Sequence, residues 1–167
     1  MQQLRQIMED HSEHLIQLAY FYTRNYHAAE DIVQDVFIKF YNSNYIEQGQ
    51  LKAFLRKLTV NRAKDYLKSW AYKKIQLQDV ITTSLKRNRD IVIEQEERSI
   101  IGDAILSLPI HYREIIVLYY FEELSTPQIA EILEEAESTV RTRLRRAREK
   151  LKPLLEDEWE VLVNEGY

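Results

Sequence analysis

"STPQIAEILEEAESTVRTRLRRAREKLK", residues 125–152, is the stretch on which the reading of this chain turns. Ser125 suits a helix N-cap, with Pro127 in the first turn and Gln128 at the capping-box position. A short helix, "TPQIAEIL", follows. "EEAE" at 134–137 breaks the pattern, and Ser138 or Thr139 opens a longer helix. At about 100° of rotation per residue, Val140, Leu144, Ala147 and Leu151 share one narrow apolar arc. Ser138, Thr142, Arg145, Arg146 and Glu149 lie opposite, with Arg141, Arg143 and Arg148 on the flanks. A short helix, a tight turn and a longer amphipathic helix make a helix-turn-helix.

The charge of the second helix is out of keeping with the rest of the chain. The formal net charge of the protein is -4, yet residues 138–152 hold seven basic side chains against one acid, Glu149. Residues 52–74 are similarly basic, while 1–51, 122–137 and 153–167 are acidic. Two basic blocks on an otherwise anion-repelling chain point to two anion-binding surfaces. Arginine forks suit guanine edges and phosphates because their planar donors bond in pairs, and Lys150 and Lys152 suit phosphate. The acids before the turn force a polyanion to approach the second helix from one side.

The remaining composition narrows the fold. The 167 residues suit one domain or two small ones. Three glycines and three prolines leave little turn chemistry for a many-stranded sheet, so an all-α protein is expected. Cysteine is absent, which excludes disulfides, thiolate metal sites and a cysteine nucleophile. The N-terminus carries acids early and does not read as a secretory signal. No apolar run approaches the roughly 20 residues of a membrane span, so no direct membrane insertion is expected.

Outward from the opening stretch, residues 12–41 read as two helices joined near "TRNYH" at 23–27. Leu15, Leu18, Ala19 and Tyr22 share a face, and Ala29, Ile32, Val33, Val36, Phe37 and Phe40 share another. The polar stretch 42–50 is a loop. A third helix over 51–73 has Leu51, Phe54, Leu55, Leu58, Ala63 and Leu67 as its expected inner side. Residues 76–94 lack sustained periodicity and read as a flexible linker. Helix resumes near Glu94, with Ile100, Ile101, Ala104, Ile105 and Leu108 on one face, and "REIIVLYYFEE" at 113–123 is a further helix.

The stretch "LSLPIHYREIIVLYYFEELSTPQIAEILEEAESTVRTRLRRAREKL" resembles region 4 of bacterial sigma-70 family RNA polymerase sigma factors. "AAEDIVQDVFIKFY" at 28–41 is similar to region 2.2, and "LKAFLRKLTVNRAKDYLK" at 51–68 to regions 2.3 and 2.4. The ordered set spans most of residues 12–155 and leaves no room for regions 1.1 or 3, which points to the extracytoplasmic-function (ECF) class. The turn departs from the family pattern: Glu134, Glu135 and Ser138 stand where glycine, an aliphatic residue and a small residue are usual. The acidic tail has no counterpart in the pattern.

The resemblance implies two small helical domains joined by a linker: 1–75 for core binding and −10 melting, 76–94 as linker, 95–155 for −35 recognition, and 156–167 as acidic tail. It implies a sigma factor that binds core RNA polymerase, through the clamp region of beta-prime and the flap of beta, and directs initiation at promoter DNA. An anti-sigma factor is an expected partner, and the expected place is the bacterial cytoplasm, with retention at the inner face of the membrane by that partner. Asp31, Gln34, Asp35 and Phe37 are the expected polymerase-docking residues. Acids beside an apolar stripe suit a basic protein surface. Tyr45, Asn61, Arg62, Lys64 and Lys68 are the expected −10 residues, since basic groups interleaved with aromatics such as Tyr66, Trp70 and Tyr72 suit a melted strand. Ser138, Arg141, Thr142, Arg145 and Arg146 are the expected −35 residues.

Two rival classes bear on the same residues. A stand-alone helix-turn-helix regulator shares residues 125–152 but has no use for the basic block at 52–74. A metalloenzyme needs paired Glu-x-x-His motifs on facing helices. Here His11 and His14, and His27 and Glu30, stand three apart in the wrong order and unpaired. No metal, cofactor or catalysis is expected.

Overall fold

The computed structural model describes residues 2–76 and 100–165, and all their regular structure is helical. The chain divides into two compact units between Glu96 and Glu97. The linker expected over 76–94 lies, Gln76 aside, outside the described residues, as does the helix start expected near Glu94.

The first unit is a bundle of α1 (Gln2–Thr23), α2 (Tyr26–Asn42) and α3 (Leu51–Gln76), each packed on the other two. α1 begins earlier than its apolar stripe indicates. Its first turns are exposed and carry i,i+4 pairs, Arg5 to Glu9 at 3.0 Å and Gln6 to Asp10 at 2.9 Å. Such pairs supply a few tenths of a kcal/mol each, about 0.2–0.5. Arg24 takes a left-handed φ of 54° between α1 and α2. Asn25 then caps α2 by accepting from the Ala28 N–H at 3.0 Å. Leu15, Leu18, Ala19 and Tyr22 of α1 are buried against Ala29, Ile32, Val33, Val36 and Phe37 of α2, as the periodicity indicates.

The inner side of α3 differs from the expected one. Its buried positions are Leu55, Arg56, Thr59, Val60 and Ala63, whereas Leu51, Phe54, Leu58 and Leu67 are only half-buried. The stripe contains an arginine and a threonine, so counting apolar residues rotates the helix wrongly. Thr59 satisfies its hydroxyl by donating to the Leu55 carbonyl at 2.8 Å.

The second unit comprises α4 (Ile100–Ser107), α5 (Ile110–Ile116), α6 (Thr126–Leu133), α7 (Glu137–Leu155) and α8 (Glu158–Glu165). α7 is central and packs on the other four or their extensions. Val140, Leu144, Ala147, Leu151 and Leu155 form its buried side, each larger aliphatic contributing about 1.5–3 kcal/mol. The helix expected over 113–123 is not a single α-helix. It starts behind Pro109, and at Val117–Phe121 widens into a π-helical turn, with the Glu122 N–H donating to the Val117 carbonyl at 3.0 Å. The extra residue keeps Val117, Leu118 and Leu124 all inward. The tail is not a loose acidic strand. α8 buries Leu162 against this unit and sets Trp159 beneath the Lys152 ammonium, 6.0 Å from the ring centre.

Candidate nucleic-acid interface

The helix-turn-helix is built from α6, the turn and α7. Ser125 accepts from the Gln128 N–H at 3.3 Å while the Gln128 side chain accepts from the Ser125 N–H at 2.9 Å, the reciprocal capping box that the sequence predicts. α6 ends with Glu134 at φ 54°. The Glu135 N–H reaches back to the Ala130 carbonyl at 3.0 Å, and the Glu134 N–H to the Glu131 carbonyl at 3.4 Å. This is the Schellman pattern, with a glutamate where glycine is usual, at a cost of about 1–2 kcal/mol. The glutamate therefore takes up the left-handed winding that the glycine of the family pattern would favour. α7 starts one to two residues earlier than expected, with Ala136 as its cap residue. Ser138 is thus freed from capping and sits in the first exposed turn.

Ser138, Arg141, Thr142, Arg145 and Arg146 are all exposed along the outward side of α7. Arg141 pairs with Glu137 one turn back, and Arg145 with Glu149 one turn on at 3.1 Å. Exposed i,i+4 pairs of this kind are worth about 0.3–0.5 kcal/mol, so a phosphate or guanine edge displaces them readily. The Thr142 hydroxyl donates to the Ser138 carbonyl at 3.0 Å, which leaves its oxygen free to accept.

Arg143 and Arg148 are partly buried, whereas Lys150 and Lys152 are exposed. Arg143 reaches across to the Glu135 carboxylate, to Glu114 and to the His111 carbonyl. Burial works against its charge, but the two carboxylates outweigh burial and raise its pKa. Arg148 donates to the Tyr120 hydroxyl at 2.7 Å and lies 5.0 Å from the Tyr119 ring centre. Lys150 lies 5.5 Å from that of Tyr112. Arg143 and Arg148 thereby tie the helix to its scaffold. The acids of the turn are structural as well: Glu137 accepts from Thr126 at 3.1 Å, joining the starts of α6 and α7.

In the first unit, the expected docking and −10 residues prove to be neighbours. Asp35 of α2 accepts from Arg62 of α3 at 2.8 and 2.9 Å. Burial, followed by the Asp31 carboxylate, pushes the Tyr66 phenol above its usual range, so the second acid of α2 also lies along α3. Asp31 and Gln34 are exposed. Phe37 is not part of that outer surface: at 5% exposure it belongs to the bundle core, because it falls on the Val33 and Val36 side of the helix. The apolar residues that do accompany the acids are Ile38 and Tyr41, 60% and 66% exposed. The same helical count applied to positions 31, 34, 35 and 38 would have found Ile38.

Asn61 and Lys68 are exposed on α3, and Lys64 is half-buried. The side chains of Tyr72, Lys73 and Lys74 lie outside the described residues. Tyr45, in the loop before α3, stacks on Phe54 with centroids 4.8 Å apart and planes 24° from parallel. Phe40 closes the cluster at 5.6 Å from Tyr45. One face of the Tyr45 ring is therefore taken by Phe54, and only the other can meet a base.

A bundle with a basic, aromatic-lined helix and a separate helix-turn-helix with an arginine-rich outer row define a DNA-binding protein with two modules. Comparison with known proteins makes this specific. The family model for sigma-70 region 2 matches residues 7–71, and that for sigma-70 region 4 matches residues 98–151. The ECF RNA polymerase sigma factor SigW of Bacillus subtilis is 30% identical over 164 residues, covering 90% of this chain and 88% of SigW. RNA polymerase sigma factor SigV of the same organism is 33% identical over 141 residues, covering 83% and 82%. The fold is shared with sigma factor RpoE of Bartonella quintana, solved in complex with the anti-sigma factor NepR. There the TM-score is 0.67 at 23% identity, over 93% of this chain and 98% of that one. The chain belongs to the sigma-70 family, in its ECF class, and is a sigma factor that directs transcription initiation by RNA polymerase. The match to region 2 sets aside the stand-alone regulator. Among the described residues, no helix is long and apolar enough to cross a membrane.

Proposed function

We propose a division of labour between the two units, with the −10 element and the polymerase clamp assigned to residues 1–75 and the −35 element to 95–155. The observation that carries this reading is the sorting of basic residues on α7. Arg143 and Arg148 are engaged with the scaffold, while Arg141, Arg145 and Arg146 stand outward with Ser138 and Thr142. Asp31, Gln34 and Asp35, joined by Ile38 and Tyr41, suit a docking surface on the clamp. Asn61 and the open face of Tyr45 suit an unpaired base, and Arg62, Lys64 and Lys68 suit its phosphates. The chemistry of initiation stays with the polymerase.

An anti-sigma factor is proposed as a second partner, since RpoE, which shares this fold, was solved in complex with one; it would compete with polymerase by covering surfaces that polymerase uses. The chain would then act in the cytoplasm, with retention at the membrane depending on how that partner is anchored. The test is run-off transcription with purified core polymerase on a promoter library, with permanganate footprinting of the promoters selected. Asn61→Ala and Tyr45→Ala should lose reactivity around −10 while binding core normally, and a pre-mismatched promoter should restore part of it. Wild-type footprints from both variants would overturn the −10 assignment.

A further inference from the structure

We propose that Arg143 is the positioning residue for −35 reading in this protein, acting through Glu135 and Glu114 without touching DNA. The proposal rests on the reading of α7 as the −35 helix.

The turn between α6 and α7 lacks two things such turns normally rely on. Glycine is missing at the left-handed position, where Glu134 sits at φ 54°. An aliphatic side chain is missing at the next position, where a Schellman turn commonly makes an apolar contact back to its helix. Glu135 stands there instead. A carboxylate cannot make that contact, so the angle at which α7 leaves the turn rests on other interactions, among them the burial of Val140 and Leu144 and the Thr126–Glu137 hydrogen bond.

Arg143 adds a further one. One guanidinium nitrogen, Nη1, meets both Glu135 oxygens at 2.9 Å. The other, Nη2, donates to Glu114 at 3.0 Å and to the His111 carbonyl at 2.6 Å, and Nε adds a bond to the same carbonyl at 3.2 Å. One planar group thus joins the turn, two positions of α5 one turn apart, and the recognition helix. The side chain is only 16% exposed, and Glu114 6%, so the fork is largely withdrawn from any DNA on the outer face. Arg143 lies between Thr142 and Leu144, in the middle of the row it orients. A small rotation of α7 here would move Arg141, Thr142, Arg145 and Arg146 together. Lysine cannot replace the fork, because one ammonium cannot span a carboxylate pair and a carbonyl in one plane.

The test uses holoenzyme assembled from core polymerase and the full-length chain, on a promoter library randomised at −35. The wild type should discriminate between best and worst base by about tenfold or more at each arginine-read position. If it shows no −35 preference, the underlying reading of α7 fails, and the proposal with it. Given a preference, Arg145→Ala should flatten one position only. Arg143→Lys should flatten all of them together, to within about threefold, without changing core binding. Glu135→Gln guards against a folding failure, since the position is half-exposed and the side chain keeps its size, while the charge and one of the two oxygens that Nη1 meets are lost. It also reverses the sign of the simple expectation: removing an acid near DNA should tighten binding to every sequence alike, whereas a positioning role predicts loss of base preference. Preferences in Arg143→Lys or Glu135→Gln that match the wild type, with both variants folded by circular dichroism, would overturn the proposal. So would a flattening confined to one base pair, which would make Arg143 a direct contact.

Discussion

Replacing Leu162 by alanine tests whether the acidic tail is part of the second unit or an appendage to it. Leu162 is 1% exposed, and α8 touches both α4 and the end of α7. The substitution removes buried aliphatic carbon and leaves a void, a change that costs about 2–5 kcal/mol in well-packed cores. Fraying of α8 would offer little escape, since it would forfeit its packing on α4 and α7 and the Trp159–Lys152 contact. In a unit of this size each kcal/mol lowers Tm by roughly 4–8 °C, so a fall of about 10 °C or more is expected. Val163→Ala, on an exposed neighbour, should shift it by no more than about 0.5 kcal/mol equivalent. Differential scanning calorimetry of the full chain reads both, and the transition of the first unit should not move. A Leu162→Ala melt superimposable on wild type would refute the packing argument. An unchanged melt accompanied by tighter −35 DNA binding after deletion of residues 156–167 would favour a charge mask over α7 instead.

Ser125→Ala breaks the capping box at the start of α6 and should destabilise the second unit by about 1 kcal/mol, read from the same calorimetric transition. Asp35→Ala and Arg62→Ala should couple by less than about 1 kcal/mol in a stability double-mutant cycle, because both side chains are nearly half-exposed. Yet Asp35→Lys should impair both core binding and promoter opening, since the pair joins the two proposed surfaces; a variant impaired only in core binding would separate them. Replacing Arg145 by alanine should cost about 1–3 kcal/mol at the preferred −35 sequence, measured by competition between promoters, and almost nothing at unrelated sequences. Uniform weakening across sequences would reduce Arg145 to a phosphate contact.

The helices of both units were legible wherever apolar residues recur at helical spacing without interruption. The faces of α1, α2 and α7 and the capping box of α6 follow from local rules, which act within a turn or two of chain. The outward row Ser138, Thr142, Arg145 and Arg146 was legible for the same reason: an amphipathic helix has only one side left for its polar residues. Where a polar residue occupies the stripe, the count fails, as at Arg56 and Thr59 of α3. A π turn cannot be seen in a pattern of apolar letters, so Val117–Phe121 read as ordinary helix. Phe37 was legible as core from its helical spacing with Val33 and Val36, and only the docking role implied by the resemblance set it on the surface.

Composition by itself pointed to the helical structure found throughout the described residues, residue order showed the two basic blocks, and the ordered motifs pointed to the family. Which arginines are available for DNA was decided only in three dimensions. Arg143 and Arg145 are chemically identical and two residues apart, but Glu114, twenty-nine positions upstream of Arg143, comes within 3.0 Å of Arg143 and not of Arg145. Charge alone cannot assign a role to either side chain. The assignment comes from which carboxylates the folded chain brings within reach, and that depends on packing between α5 and α7 that no local pattern encodes.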